Sequence, residues 1–156
     1  MTPAINALEQ SNTKHRVHSY EHDPSTESYG LEAADHMNVD AARIFKTLVV
    51  ELNTGALAVG VVPVSKQLNL KSIAKSAGVK KASMAEPDKV TRSTGYVLGG
   101  ISPLGQKKPL PTVIDNSAKQ FDSIFVSGGR RGLEIELSAL NLCTLTNGSF
   151  AAISHD

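Results

Sequence analysis

The spacing of hydrophobic and polar positions changes several times along the chain, and each change marks an element. Thr2 followed by Pro3 predicts the cap and first turn of a helix that places Ile5 and Leu8 on one face and ends near Ser11-Asn12. From His15 to Tyr20, Val17 is opposite in phase to His18 and Tyr20, a strand pattern that Asp23-Pro24-Ser25 then breaks. Leu31 to Met37 reads as a short helix. Ile44 to Leu52 is dense in β-branched and aromatic residues; with a turn at Gly55 and a second run from Ala56 to Val62 it predicts a buried hairpin. Asn69 caps the clearest helix, with Leu70, Ile73, Ala74 and Ala77 as its apolar stripe, Lys71 and Lys75 facing out, and Gly78 as its stop. A further helix runs from Glu86 or Pro87 to Arg92. Strands are expected at Thr112 to Ile114, Phe121 to Val126 and Leu133 to Leu137, the last alternating Leu133, Ile135 and Leu137 against Glu134 and Glu136. Ser138 caps a closing helix through Leu142 and Leu145. Helices and strands are interleaved, but several connections are as short as hairpins. That combination predicts an α+β fold with an antiparallel or mixed sheet, not a doubly wound parallel one.

Composition bounds the class without naming it. Of 156 residues, 40% are hydrophobic and 20% charged, the make-up of a globular chain expected to form one domain over residues 1–156. Cys143 is the single cysteine, which excludes an internal disulfide and a Cys-x-x-Cys pair and points to a reducing, cytoplasmic setting. No apolar run reaches the roughly 20 residues of a membrane helix, so no membrane association is expected. The net charge of +1 conceals an asymmetry. Residues 1–60 carry four Lys/Arg against eight Asp/Glu, residues 61–108 nine against two, and residues 109–156 three against five. A middle third this basic suggests attraction to a polyanion; the alternative is a solvated lysine-rich helix face.

Lys46 is the most informative residue. In Ile44-Phe45-Lys46-Thr47-Leu48-Val49-Val50 it shares a face with Leu48 and Val50 in a strand that is apolar on both sides, so its ammonium group is expected to be at least half shielded. Shielding without a partner depresses a lysine pKa, whereas a phosphate or carboxylate preserves the charge. The alternative is a strand-end lysine whose stem packs while its head reaches solvent. Two glycine-rich segments, Gly99-Gly100-Ile101-Ser102-Pro103-Leu104-Gly105-Gln106-Lys107-Lys108 and Ser127-Gly128-Gly129-Arg130-Arg131-Gly132, join bare backbone to cations and suit an anionic ligand, or are plain turns. Neither is a Walker loop or a dinucleotide fingerprint. His18 and His22 do not share a helical face, so no metal site is expected. There is no Gly-x-Ser-x-Gly elbow, and Cys143 reads as an inert helix thiol, which leaves covalent catalysis without an obvious nucleophile. Tyr20, at a strand end, fits either core or site.

Phe45-Lys46-Thr47-Leu48, Ser93-Thr94-Gly95-Tyr96, Gly99-Gly100-Ile101-Ser102-Pro103-Leu104-Gly105 and Ser127-Gly128-Gly129-Arg130-Arg131-Gly132-Leu133, in this order, closely resemble the YbaK family of bacterial Cys-tRNA(Pro) deacylases over nearly the whole chain. The strand lysine and a Gly-x-x-x-Pro loop are marks of the wider superfamily of aminoacyl-tRNA editing domains. The Gly-Gly-Ile-Ser-Pro and Ser-Gly-Gly-Arg-Arg-Gly strings favour YbaK over the prolyl-tRNA synthetase insertion domain, which acts on Ala-tRNA(Pro). The resemblance implies a mixed, barrel-like β-sheet with surrounding helices, and a cofactor-free reaction that clears cysteine wrongly attached to tRNA(Pro). It also implies that the thiol of the bound cysteinyl group attacks its own ester carbonyl. Lys46 would then meet the terminal adenosine or its phosphate, Tyr20 and Thr47 would line the pocket, and the backbone of Gly99 and Gly100, with Ser102 and Pro103 in the same loop, would orient the ester. Ser127 and Glu134 would hold the α-amino group, and Lys107, Lys108, Arg130 and Arg131 would face the RNA.

The implied partners are an aminoacyl-tRNA and a prolyl-tRNA synthetase, with DNA and membranes excluded. Three alternatives stay open on the residues alone: a non-catalytic tRNA-binding accessory of the synthetase, an editor of another mischarged tRNA such as Ala-tRNA(Pro), and an enzyme that forms a Schiff base through Lys46.

Overall fold

A strand that is apolar on both faces needs cover on both, and the fold supplies it. The computed structural model describes residues 1–25 and 29–156. In chain order the elements are α1 (Pro3–Gln10), β1 (Arg16–Ser19), α2 (Tyr29–Met37), β2 (Phe45–Leu52), β3 (Leu57–Pro63), β4 (Gln67–Leu68), α3 (Leu70–Ser76), β5 (Ala82–Met84), α4 (Pro87–Thr94), β6 (Thr112–Asp115), β7 (Ile124–Ser127), β8 (Leu133–Leu137), α5 (Ala139–Thr146), β9 (Ser149–Ala151) and β10 (Ser154–His155). The expected hairpin forms as β2 antiparallel to β3, with Lys46 opposite Val62. It sits at the centre of a mixed sheet ordered β5-β2-β3-β6-β9, in which β6 runs parallel to both its neighbours.

One face of this sheet presents Phe45, Val49, Val59, Val61 and Ile114 to the main core, closed by Leu8 of α1, Val90 of α4, Leu142 of α5 and the inner face of a second sheet, β1-β8-β7. The other face presents Val50, Ala58, Val62 and Val113 to Ile73 of α3 and to Leu68 and Ile153. The Asn69 side chain accepts from the Ser72 N–H to start α3, a cap worth about 1 kcal/mol, and burial of Ile73 adds roughly 2 kcal/mol. Ala77, expected in the apolar stripe, is instead the exposed C-cap.

The expected architecture holds, and one strand boundary is corrected. The expected barrel-like, mixed α+β arrangement is built from two open sheets that face each other across the core, joined at the parallel bridge between Ile44 and Phe125, while β4 and β10 form a separate pair. The strand expected from Phe121 starts only at Ile124, because Asp115 caps a 3₁₀ turn over Asn116–Gln120 that carries the chain past Phe121. Four short strands, β4, β5, β9 and β10, are too brief to show a period. No helix among the described residues is long and apolar enough to cross a membrane.

Candidate active site

The glycine loops and β2 converge on one cavity of about 340 Å³. It opens where the Lys46 end of β2 meets the Ser127 end of β7, beneath the first turn of α2. Of the residues singled out from sequence, Tyr20, Lys46, Thr47, Gly99, Ser127, Arg130, Arg131 and Glu134 line it. Tyr29, Gly30, Val64 and Leu98 also line it without having been anticipated, beside Ile44, Phe45, Leu48 and Ile101 from the segments quoted above. Tyr29-Gly30, an aromatic and a glycine at the start of a short helix, was the available signal for Tyr29.

Lys46 is half-buried and has no hydrogen-bond or ion-pair partner among the described residues; burial alone holds its pKa below the ordinary lysine value. Beside it in the strand, the buried Oγ1 of Thr47 also lacks a partner. Glu134 pairs with His18 on one side and Ser127 on the other, so the three side chains project from one face of the sheet. Glu134 is only 8% exposed, on a face of the sheet where Ala33 and Ala34 of α2 pack against Phe125.

Two neighbouring glutamates show what partners do. Glu136 accepts from Ser123 Oγ at 2.5 Å and lies 2.9 Å from His18 Nε2, and the Ser123 hydrogen bond above all keeps its pKa below the usual value. Glu134 makes no such bond among the described residues, and burial pushes it up to about 8. Neither Lys46 nor Glu134 owes its shift to the other, so the cavity holds an unpaired ammonium group and an unpaired carboxyl group. Tyr20 stacks on His36 at 4.7 Å, and burial, reinforced by Glu134 and Glu32, raises its hydroxyl to about 12, so it stays protonated as a donor.

Between about pH 4.5 and 8 native Glu134 keeps a proton that the unfolded chain has released, so its burial lowers stability as pH rises through that window. Glu134→Gln cannot ionise. This variant is expected to melt above the parent at pH 8, with the gap shrinking as the pH falls towards 5; a gap independent of pH would contradict the buried, unpaired carboxyl.

Other candidates lie outside the cavity. A Cβ on Gly100 would come within 2.9 Å of the Arg130 Cα, so its bare backbone lets the two glycine loops pack together. Gly100→Val is expected to cost about 1–3 kcal/mol of stability as well as activity, read from melting curves beside the deacylation rate. An unchanged melting temperature would show that the Arg130 loop yields freely. Ser102 is fully buried, its Oγ accepting from the Leu104 N–H at 3.2 Å, and Pro103 is buried beside it, which makes this stretch an anchor for the loop. Lys107 and Lys108 are exposed and tied by their backbone N–H groups to Thr94 and Ser93 at the end of α4, away from the cavity lining. Cys143 is half-buried in α5 against the main core. No group of three or more His, Cys, Asp or Glu side chains suited to a metal ion occurs among the described residues.

Comparison with known proteins places the chain in a family. Residues 23–145 match the aminoacyl-tRNA editing domain. EbsC of Enterococcus faecalis, described provisionally as a Cys-tRNA(Pro)/Cys-tRNA(Cys) deacylase, is 38% identical over 98% of this chain and 93% of its own length. YwhH of Bacillus subtilis is 29% identical over 71% of this chain and 70% of its own. Among solved structures, the hypothetical protein APE2540 superimposes with a TM-score of 0.88 at 27% identity, covering 99% of this chain and 100% of that one. A protein described provisionally as a trans-editing enzyme for prolyl-tRNA synthetase does so with a TM-score of 0.85 at 23% identity, covering 99% and 96%. With the strand lysine, both glycine loops and this fold in one chain, the protein belongs to the aminoacyl-tRNA editing domain family.

Proposed function

We propose that this chain is a trans-editing deacylase that clears cysteine from mischarged tRNA(Pro). The observation that carries the reading is a single cavity in which an unpaired ammonium group, Lys46, an orphaned hydroxyl, Thr47, and an unpaired buried carboxyl, Glu134, all await partners. An aminoacyl ester on a nucleotide supplies each of them: an anionic phosphate for Lys46 and the arginines, polar ester and ribose oxygens for Thr47, and an α-amino group for Glu134 and Ser127. Membership of the editing family and the 38% identity to EbsC support the same substrate class.

The reaction needs no nucleophile from the protein. The cysteinyl sulfur bonds to its own ester carbonyl carbon as the carbon–oxygen bond to the ribose breaks; the thiol proton ends on the departing 3′ oxygen, and water later opens the thiolactone. What the cavity lends is position and polarity. Cys143 lies outside the lining, and the Ser127 Oγ accepts from the Gly129 N–H at 3.1 Å instead of facing a histidine base. Incubation of the purified protein with Cys-tRNA(Pro) tests the proposal: release of cysteine supports it, and stable binding without release favours the non-catalytic accessory.

Arg130 and Arg131 at the cavity, with the exposed Lys107 and Lys108, make the proposed RNA-facing surface. Phosphate contacts position a nucleic acid without reading its sequence, so selection of tRNA(Pro) is assigned to a prolyl-tRNA synthetase partner. Of the basic middle third, Lys66 pairs with Asp156 and Lys89 with Glu51, whereas Lys71 and Lys75 are exposed on α3 and make no ion pair among the described residues. Reversing Lys107 and Lys108 to Glu is expected to weaken tRNA binding and flatten its salt dependence by about 0.7 in log–log slope per lost contact, with kcat retained. Reversing Lys71 and Lys75 asks whether α3 joins that surface. If neither pair alters affinity or slope, the RNA docks elsewhere.

A further inference from the structure

The guanidinium carbon of Arg131 lies 3.3 Å from the centroid of the Tyr29 ring. Arg131 has no carboxylate within ion-pair distance among the described residues, and its Nε is buried without a hydrogen-bond partner. Tyr29 belongs to the first turn of α2, with its ring edge-on to His22 at 6.0 Å. Gly99 completes the arrangement: a Cβ there would stand 2.8 Å from Tyr29 Cε2 and 3.3 Å from Arg131 Nε. All three residues line the cavity. An arginine fixed by a salt bridge has its charge neutralised and its N–H groups engaged by the carboxylate. One laid flat against a ring is fixed by the π-face and keeps both for a ligand.

We propose that Tyr29 is a positioning residue that holds Arg131 over the cavity as a clamp for a phosphate of the bound nucleotide. The proposal deepens the deacylase reading and rests on it only for whose phosphate is bound. The ring also explains why Gly99 must be bare, since a side chain there would wedge the pair apart.

Adenosine 5′-monophosphate is a probe that carries the phosphate without requiring deacylation. The Arg131 Nε–H resonance, shifted by the ring current of Tyr29, is expected to move on its addition in the parent and in Tyr29→Phe, which keeps the ring. Tyr29→Leu, which preserves apolar bulk, and Arg131→Ala should each weaken binding about tenfold, and the double variant should be no weaker than Arg131→Ala alone. With Cys-tRNA(Pro), Tyr29→Leu should raise KM while kcat stays within about threefold. The clamp is overturned if the parent does not bind the nucleotide, if Tyr29→Leu binds it as the parent does, or if the two losses add. An inert protein that binds the nucleotide through this pair overturns the deacylase reading alone; an active one indifferent to Tyr29→Leu overturns the clamp alone.

Discussion

Lys46→Ala is expected to leave a folded protein whose deacylation is at least about a hundredfold slower, because one electrostatic contact of this kind is worth roughly 3 kcal/mol at the reacting centre. The fold should tolerate the change, since the ammonium group contributes no salt bridge or hydrogen bond among the described residues and its burial disfavours its charge. Truncation relieves that cost while shortening a stem that packs near Leu48 and Val62. The melting temperature is therefore expected to change little while the rate collapses, and circular dichroism beside the rate assay separates the two. Near-parental turnover by a folded variant would remove Lys46 from the mechanism. A borohydride-stable carbonyl adduct on Lys46 in the parent would instead favour Schiff-base chemistry.

The second large effect concerns the substrate. If its own thiol attacks, replacing the attached cysteine by serine should slow release by orders of magnitude, because an alcohol is far less ionised than a thiol near neutral pH. Cys143→Ser should keep full activity, since that thiol faces the main core from α5. Comparable rates on cysteinyl and seryl esters would indicate a water activated within the cavity. Tyr20, held protonated, and Glu134, largely protonated at neutral pH, would then need re-examination as its proton-transfer groups.

Sequence reasoning reached the parts of this site that local pattern controls. The two-sided apolar run around Lys46 marked a covered central strand, and two glycine loops bearing cations marked the cavity rim. It failed where a distant element decides the outcome. Alternation in β8 sets Glu134 apart from Leu133 and Ile135 but does not say what covers it; α2, about a hundred residues earlier in the chain, packs on that face, where Glu134 is buried. Gly100, Ser102 and Pro103 were legible as a loop but not as its packed side, because which backbone meets Arg130 is set by tertiary contact. The stack of Arg131 on Tyr29 joins residues too far apart for any spacing rule. The four short strands escaped for the same reason: strands of two or three residues are defined by their neighbours and carry no period of their own.

The most direct measurement follows the loss of amino acid from Cys-tRNA(Pro), Ala-tRNA(Pro), Ser-tRNA(Pro) and Pro-tRNA(Pro), with prolyl-tRNA synthetase present and absent and with Lys46→Ala as control. The account predicts rapid clearance of cysteine, slow loss of serine and alanine, retention of proline, and loss of the cysteine reaction in the variant. Binding of Cys-tRNA(Pro) without release, or equal release in the parent and in Lys46→Ala, would contradict it.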